Sequence, residues 1–185
     1  MNNKHIIFLG VFALVFLTIG LNAMEIEKEY HYKFSNPIAE RLYEEYSGSV
    51  DAMNEIRKRA DGYLDAYKTD PSSLNDAANE LRRFANYLHS AKEALIKLSL
   101  SQVSKDDSNF LTTETLRARK ELNALEHELE EKSFDVEQKA LSLVDVSNNV
   151  FYKLHGTSAV LENKKIEKNV KEGLKYISQL EWPKK

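Results

Sequence analysis

The sequence has 185 residues, a formal net charge of −3, 42% hydrophobic and 30% charged residues, and no cysteine. Charges of both signs are interspersed, and the nearest basic run, Arg57–Arg59, is flanked by Glu55 and Asp61, so the pattern argues against nucleic-acid binding. Without cysteine there are no disulfides and no thiol chemistry, and the fold must depend on packing alone.

Residues 1–23 have the pattern of a secretory signal peptide. Lys4 precedes an uncharged apolar run of 16 residues from Ile6 to Leu21, and Ala23 supplies the small residue at the cleavage site. The run is shorter than the ~20 residues of a spanning helix, which favours cleavage before Met24 over an uncleaved membrane anchor. No cysteine or Asn-x-Ser/Thr sequon follows, so we expect an exported protein, periplasmic or extracellular, of bacterial origin.

Residues 24–36 are predicted to form an extended N-terminal arm. From Glu25 to Phe34, apolar or aromatic positions partly alternate with charged ones, and period two is typical of a strand. Ile26, Tyr30 and Phe34 also fit one face of a helix. Three roles stay open: a flexible arm, a lead-in packed on the rest of the protein, or a strand offered to the sheet edge of a partner.

Residues 37–182 are predicted to form an all-α domain, followed by a tail at 183–185. The expected architecture is an elongated antiparallel helical bundle of three to four long helices with coiled-coil-like packing. Asn36–Pro37 and Asp70–Pro71 each predict a capping residue followed by a proline in the first turn of a helix, and Gly156 predicts a helix end, which divides the domain into four segments. These are 37–68, 71–103, 112 or 113 to 155, and 158–180, with the longest loop at 103–112.

The second segment carries the clearest heptad pattern. One seam position is filled by Leu74, Leu81, Leu88 and Leu95, and the other by Ala77, Phe84, Ala91 and Leu98. The pattern predicts that the intervening polar residues lie outside: Asn79, Glu80, Arg82, Arg83, Lys92 and Glu93. In the third segment, Lys132 falls where an apolar residue is expected and Asn148–Asn149 interrupt the stripe, so the continuity of this helix stays open at both points.

No motif indicates catalysis, a cofactor or a metal. His127 and Glu131 have the i, i+4 spacing that lets two side chains share a metal, but the glutamates at 121–131 alternate with leucines that face inward, so we expect them in solvent. Nucleophile and phosphate-loop motifs are absent. We therefore expect no enzyme and no cofactor; a deep polar pocket lined by His89 or His127 with carboxylates would favour an enzyme.

Aromatic residues are the candidates for partner contacts, because tyrosine is enriched in binding hot spots. Tyr43 and Tyr63 lie off the predicted core stripe of the first helix, and Tyr30, Tyr32 and Phe34 lie in the arm. The alternative for these rings is packing at the boundary of the core, where a tyrosine hydroxyl reaches solvent.

Bundles of this kind resemble, in general architecture only, periplasmic chaperones, surface proteins of pathogens and minor-pilin subunits of secretion systems. The sequence favours a non-enzymatic protein that binds a protein partner as a surface, chaperone-like or secretion-apparatus component. The alternative is a membrane-active or lipid-binding protein whose amphipathic helices lie on lipid. The basic polar face that such helices carry is found only in Ser158–Lys185, with seven Lys against four Glu.

Amino-terminal sequencing of the exported product tests the signal peptide. We expect the first residue to be Met24, because Ala23 provides the small side chain that signal peptidase accepts. A product that stays in the cytosol with Met1 attached would contradict export.

Overall fold

The structure, a computed structural model, describes residues 32–146 and 157–179. In this part the chain forms four helices that pack against one another: α1 (Pro37–Ala66), α2 (Ser73–Ser99), α3 (Lys105–Val146) and α4 (Thr157–Ser178). The predicted all-α bundle is therefore confirmed. The predicted signal peptide, the arm before Tyr32, Asn148–Asn149 and the tail lie outside the described residues.

Helix α2 is the central element, because it packs against each of the other three helices. Helices α1 and α3 run parallel, since Tyr46 contacts Glu121 and, further along both helices, Asp61 contacts Lys132. Helix α2 runs antiparallel to both.

Helix α4 packs on α2 and α3. Its Gly173 lies beside Ala78, and further along both helices the Arg82 guanidinium lies over the ring of Tyr176. Residue numbers rise together, so α4 runs parallel to α2 and antiparallel to α3. The four helices alternate in direction along the chain, as in an up-down-up-down bundle.

The predicted heptad seam of α2 forms the core. Its eight residues are each at most 4% exposed: Leu74, Ala77, Leu81, Phe84, Leu88, Ala91, Leu95 and Leu98. The prediction that Glu80 lies outside is wrong, since the residue is only 8% exposed. Its carboxylate is buried because Arg59 of α1 and Arg83 both pair with it at 2.9 Å, which satisfies the charge as the interior requires.

The starts of α1 and α2 follow local capping chemistry. The Asn36 side chain accepts a hydrogen bond from the Ile38 amide at 2.8 Å, with Pro37 in the first turn, as predicted. Pro71, however, precedes its helix instead of lying in the first turn. Asp70 accepts hydrogen bonds from both the amide and the hydroxyl of Ser72, and this turn places the start of α2 at Ser73.

The predicted loop at 103–112 is wrong, because α3 begins at Lys105. Ser104 caps the helix: its hydroxyl oxygen accepts from the amide of Asp107 at 3.1 Å, and the carboxylates in the first turn suit the positive end of the helix dipole. Ser104-x-x-Asp107 is a capping pattern that the sequence displays. Leu111 is buried behind it, so the apolar stripe of α3 begins earlier than predicted.

Of the two points at which the continuity of the third helix was open, Lys132 lies within α3, which continues without interruption to Val146. Lys132 does not enter the core, because its ammonium group pairs with Asp61 of α1 and with Glu128 one turn earlier on α3. A cation is therefore accommodated in the stripe without unwinding the helix.

The end of the predicted arm is a lead-in packed on the bundle and belongs to the compact unit that begins at Lys33. Phe34 is 4% exposed, and its ring centroid lies 5.5 Å from that of Tyr43 and 5.8 Å from that of Phe110. The amide and hydroxyl of Ser35 both donate to Asp107 of α3. Three roles were open for the arm, and for residues 33–36 the structure shows the second, a lead-in packed on the bundle.

Replacement of Phe34 by Ala should destabilise the protein by about 3–5 kcal/mol, the usual range for removing a buried phenylalanine ring. Urea denaturation measures the free energy of unfolding. Lys33→Ala removes an exposed neighbour and should change it by less than about 0.5 kcal/mol. Equal effects of the two substitutions would show that the aromatic contacts do not hold the lead-in.

Candidate functional site

A groove with a volume of about 710 Å³ lies between α2, α3 and α4. We call it the interhelical groove; its volume falls in the range of about 300–1,000 Å³ typical of ligand pockets. Its apolar lining comes from all three helices: Ala85, Leu88, Leu129, Phe134, Leu174 and Ile177. Phe134 is 64% exposed, so a large apolar ring is presented to solvent at this groove.

Small side chains at facing positions account for the groove. Lys92 of α2 pairs with Glu126 of α3 at 2.8 Å. Because the two helices are antiparallel, Ala85, seven residues before Lys92, is level with Ser133, seven residues after Glu126. Alanine faces serine at this level, with Lys132 turned to α1, and the space that larger side chains would fill is left open.

Two polar atoms in the lining are buried without a hydrogen-bond partner among the described residues: Nδ1 of His89 and Oγ of Ser133. Buried polar groups are nearly always hydrogen-bonded, and leaving one unpaired costs about 1–3 kcal/mol. Both residues line the groove with other atoms, since Nδ1 and Oγ themselves have almost no accessible surface.

The rims of the groove carry opposite charges. On the α3 side lie Glu126, Glu130 and Glu137, and on the α4 side lie Lys171 and Lys175. A hydrogen bond from Lys171 to Glu167 at 2.7 Å, with the charges of Glu167 and Glu137, raises the pKa of the Lys171 ammonium. The α4 side of the groove therefore carries amino groups and the α3 side carries carboxyl groups. Among them, Glu126 pairs with Lys92 and Lys171 pairs with Glu167.

A second polar cluster lies between α1 and α3. Arg117 pairs with both Glu114 and Glu121, and the Tyr46 hydroxyl donates to Glu121 at 3.1 Å. Two carboxylates share one guanidinium, so the fully ionised cluster carries one net negative charge in a largely buried place. The ring of Tyr43 completes it, 6.3 Å from that of Tyr46.

Burial raises the pKa values of the acidic groups in this cluster. Burial and the charge of Glu121 raise the pKa of Glu114 to about 7. Burial also raises the pKa of Glu121, against the opposing hydrogen bond from Tyr46 and the charge of Arg117. Burial and the neighbouring carboxylates raise the pKa of the Tyr43 hydroxyl as well. The expectation that Glu121 is solvated is therefore wrong: its side chain is only 7% exposed.

The residues predicted to contact a partner do not form one surface in the described structure. Phe34 and Tyr43 are each 4% exposed and pack against each other, so both are core residues, and the expectation that Tyr43 lies off the core stripe is wrong. Tyr32 and Tyr63 are half-buried, and Tyr30 lies outside the described residues. Partner contact by Tyr30, Tyr32 and Tyr63 stays a prediction.

The predicted pairing of His127 with Glu131 is present, with Nε2 3.3 Å from Oε1, but both side chains are largely exposed. Within residues 32–146 and 157–179 no group of three or more His, Asp or Glu side chains is placed to hold a metal ion. Nor does this part of the chain contain a helix with the length and apolarity needed to cross a membrane.

Sequence reasoning missed the interhelical groove. The groove meets part of the condition for an enzyme, since His89 lines it with carboxylates, but its lining is mainly apolar where a polar pocket was required. The arrangement is also poor for acid–base catalysis. No hydrogen bond joins His89 to Ser133, because Nδ1 and Oγ are both unpartnered, Glu126 pairs with Lys92, and Glu130 is 71% exposed. The sequence feature that could have indicated the groove is the polar pair Lys132–Ser133, which interrupts the apolar stripe of α3.

The chain matches no protein-family model, and neither a curated protein nor a solved structure shows significant similarity to it.

The free energy of unfolding should fall as the pH rises from about 4.5 to about 7. The folded pKa of Glu114 exceeds the unfolded value of 4.5, so the folded chain binds more protons than the unfolded chain in this window, and the stabilisation is lost through it. We expect a decrease on the order of 2 kcal/mol. Urea denaturation at several pH values measures it.

Glu114→Gln should flatten this pH dependence, whereas Glu131→Gln, at a side chain 69% exposed, should leave it unchanged. An undiminished fall in stability between pH 4.5 and 7 in Glu114→Gln would contradict the assignment to Glu114.

Proposed function

We propose that this protein is a non-enzymatic binding protein that accepts an amphipathic helix of a protein partner in the interhelical groove, and that it acts outside the cytoplasm. Export is supported by the signal-peptide pattern of residues 1–23. The observation that carries the binding proposal is an apolar groove between three helices, bordered by carboxylates on one side and ammonium groups on the other.

The form of the groove favours a helix as the occupant. Its lining follows helices α2 and α3, which suits the apolar stripe at i, i+3, i+4 and i+7 with which an amphipathic helix enters a groove. Electrostatic complementarity then predicts which charges the partner helix carries on either side of its apolar stripe. Basic residues should face the acidic rim at Glu126, Glu130 and Glu137, and acidic residues should face Lys171 and Lys175.

Phe134 is the strongest candidate for an anchoring contact, because exposed aromatic rings at a groove are typical of binding hot spots. At 64% exposure, the ring contributes little to the core, so a substitution there can change binding without unfolding the chain. Leu116 is its matched control: it lies on the same helix, is 60% exposed, and is not part of the groove lining.

A displayed library of helical peptides, with a fixed apolar stripe and randomised flanks, tests the proposal. We expect the selected peptides to carry basic residues on one flank and acidic residues on the other. Fluorescence anisotropy should show that Phe134→Asp weakens their binding by at least about tenfold, the factor that 1.4 kcal/mol produces. Leu116→Asp should bind them like the unmodified protein, and both variants should keep their helical circular dichroism.

Other occupants have their own signatures and would overturn the proposal. A dimer in sedimentation that Phe134→Asp abolishes would identify a second copy of the chain. Flotation with anionic vesicles that Phe134→Asp abolishes would favour the membrane-active alternative. Peptides that bind Phe134→Asp and the unmodified protein equally would exclude the groove as the site.

A further inference from the structure

Three residues that line the interhelical groove lie on one stripe of α3. Glu130, Phe134 and Glu137 are spaced four and three residues apart, so they are successive neighbours on one face of the helix, with about 5–6 Å between adjacent Cβ atoms. Phe134 is 64% exposed, the Glu130 side chain is 71% exposed, and Glu137 is half-buried. Along the helix, an accessible aromatic ring therefore lies between two carboxylates that solvent also reaches.

Neither of these carboxylates is held by a lysine or arginine in the described part of the chain. Lys171, across the groove from Glu137, donates its hydrogen bond to Glu167 of its own helix at 2.7 Å, and the described residues show no ion pair at Glu137. Oε2 of Glu130 lies 3.9 Å from Nδ1 of His127, in an exposed contact of the kind that contributes little. A cation brought by a ligand can therefore reach both carboxylates.

A guanidinium matches an aromatic ring between two carboxylates better than an ammonium group does. Its flat face lies on the ring, while the N–H groups at its edge donate two parallel hydrogen bonds to a carboxylate. An ammonium group is a compact, strongly hydrated charge without this planar fork. The bundle itself uses the contact between guanidinium and ring where α2 meets α4, since Cζ of Arg82 lies 5.9 Å from the centroid of the Tyr176 ring.

We propose that Glu130, Phe134 and Glu137 together bind one arginine of the partner helix. Its guanidinium lies over the Phe134 ring and donates hydrogen bonds to a carboxylate on either side. Glu126, the other carboxylate of the lining, does not take this role, because Lys92 pairs with it at 2.8 Å. This inference rests on the proposed function and specifies one residue type on the flank of the partner helix that faces α3.

The test uses the tightest-binding peptide from the library selection. Each arginine on the flank that carries basic residues is replaced in turn by lysine, which keeps the charge and removes the planar group. Binding is measured by fluorescence anisotropy with the unmodified protein, Phe134→Leu, the double variant Glu130→Gln/Glu137→Gln and the control Glu131→Gln. Phe134→Leu keeps an apolar side chain and removes the ring. Glu131 lies on the same helix, its side chain is 69% exposed, and it is not part of the groove lining.

We expect the selected peptides to share an arginine at one central position of this flank. Lysine at that position should weaken binding to the unmodified protein and to Glu131→Gln at least about fivefold. Phe134→Leu should reduce this preference to less than about twofold, because leucine has no aromatic face. The double variant should bind the arginine peptide at least about tenfold more weakly than the unmodified protein, because it loses the charge-assisted hydrogen bonds.

Three results would overturn this inference and leave the proposed function standing, provided that Phe134→Asp still weakens the peptides. The first is a set of selected peptides without a shared arginine, or equal binding of the arginine and lysine peptides by the unmodified protein. The second is a preference for arginine that Phe134→Leu does not reduce to this extent. The third is an equal loss of binding in Glu131→Gln and the double variant. Selection of no binding peptide would overturn the proposed function itself.

Circular dichroism shows whether each variant keeps its helices. Should the double variant fail to fold, Glu130→Gln alone supplies the comparison, since it changes a side chain that is 71% exposed. We expect it to weaken binding of the arginine peptide at least about threefold, through the loss of one charged acceptor. Unchanged binding would show that Glu130 does not contact the guanidinium and would overturn its part in the site.

Discussion

Burial of one seam along α2 is the constraint on which the rest of the structure depends. The seam combines leucines such as Leu81 and Leu88 with alanines such as Ala91, and none of these is more than 1% exposed. A helix buried in this way must be covered on several sides, and α1, α3 and α4 provide the cover. Helices α1 and α3 then approach each other through long polar side chains, among them Tyr46 with Glu121 and Arg57 with Glu128.

Features that depend on local chemistry and periodicity were predictable from the sequence. The seam of α2 and the cap at Asn36 follow from spacing and side-chain type, and the structure confirms both. The start of α3 was predictable too, because Ser104-x-x-Asp107 is a capping pattern, but the polar composition around it resembles a loop. At this position the polar composition predicts a loop and the capping pattern predicts a helix start, and the structure has the helix start.

Features that depend on tertiary pairing were not predictable. Glu80 and Glu121 are surface residues by sequence pattern, and they are buried because Arg59 and Arg117 reach them. Such partners are known only once the helices are aligned, and buried pairs of this kind add little net stability over apolar side chains of similar size. The interhelical groove has the same origin, since it forms where Ala85 and Ser133 reach the same level on facing helices.

Helix α4 packs on α2 and α3. Local opening of a protein begins with the elements that bury the least apolar contact, and the described part of α4 buries three apolar residues, Val160, Ile166 and Val170. It also supplies Leu174 and Ile177 to the groove. The same helix forms one wall of the groove and buries few residues of its own, so we expect local opening of the groove to begin at α4.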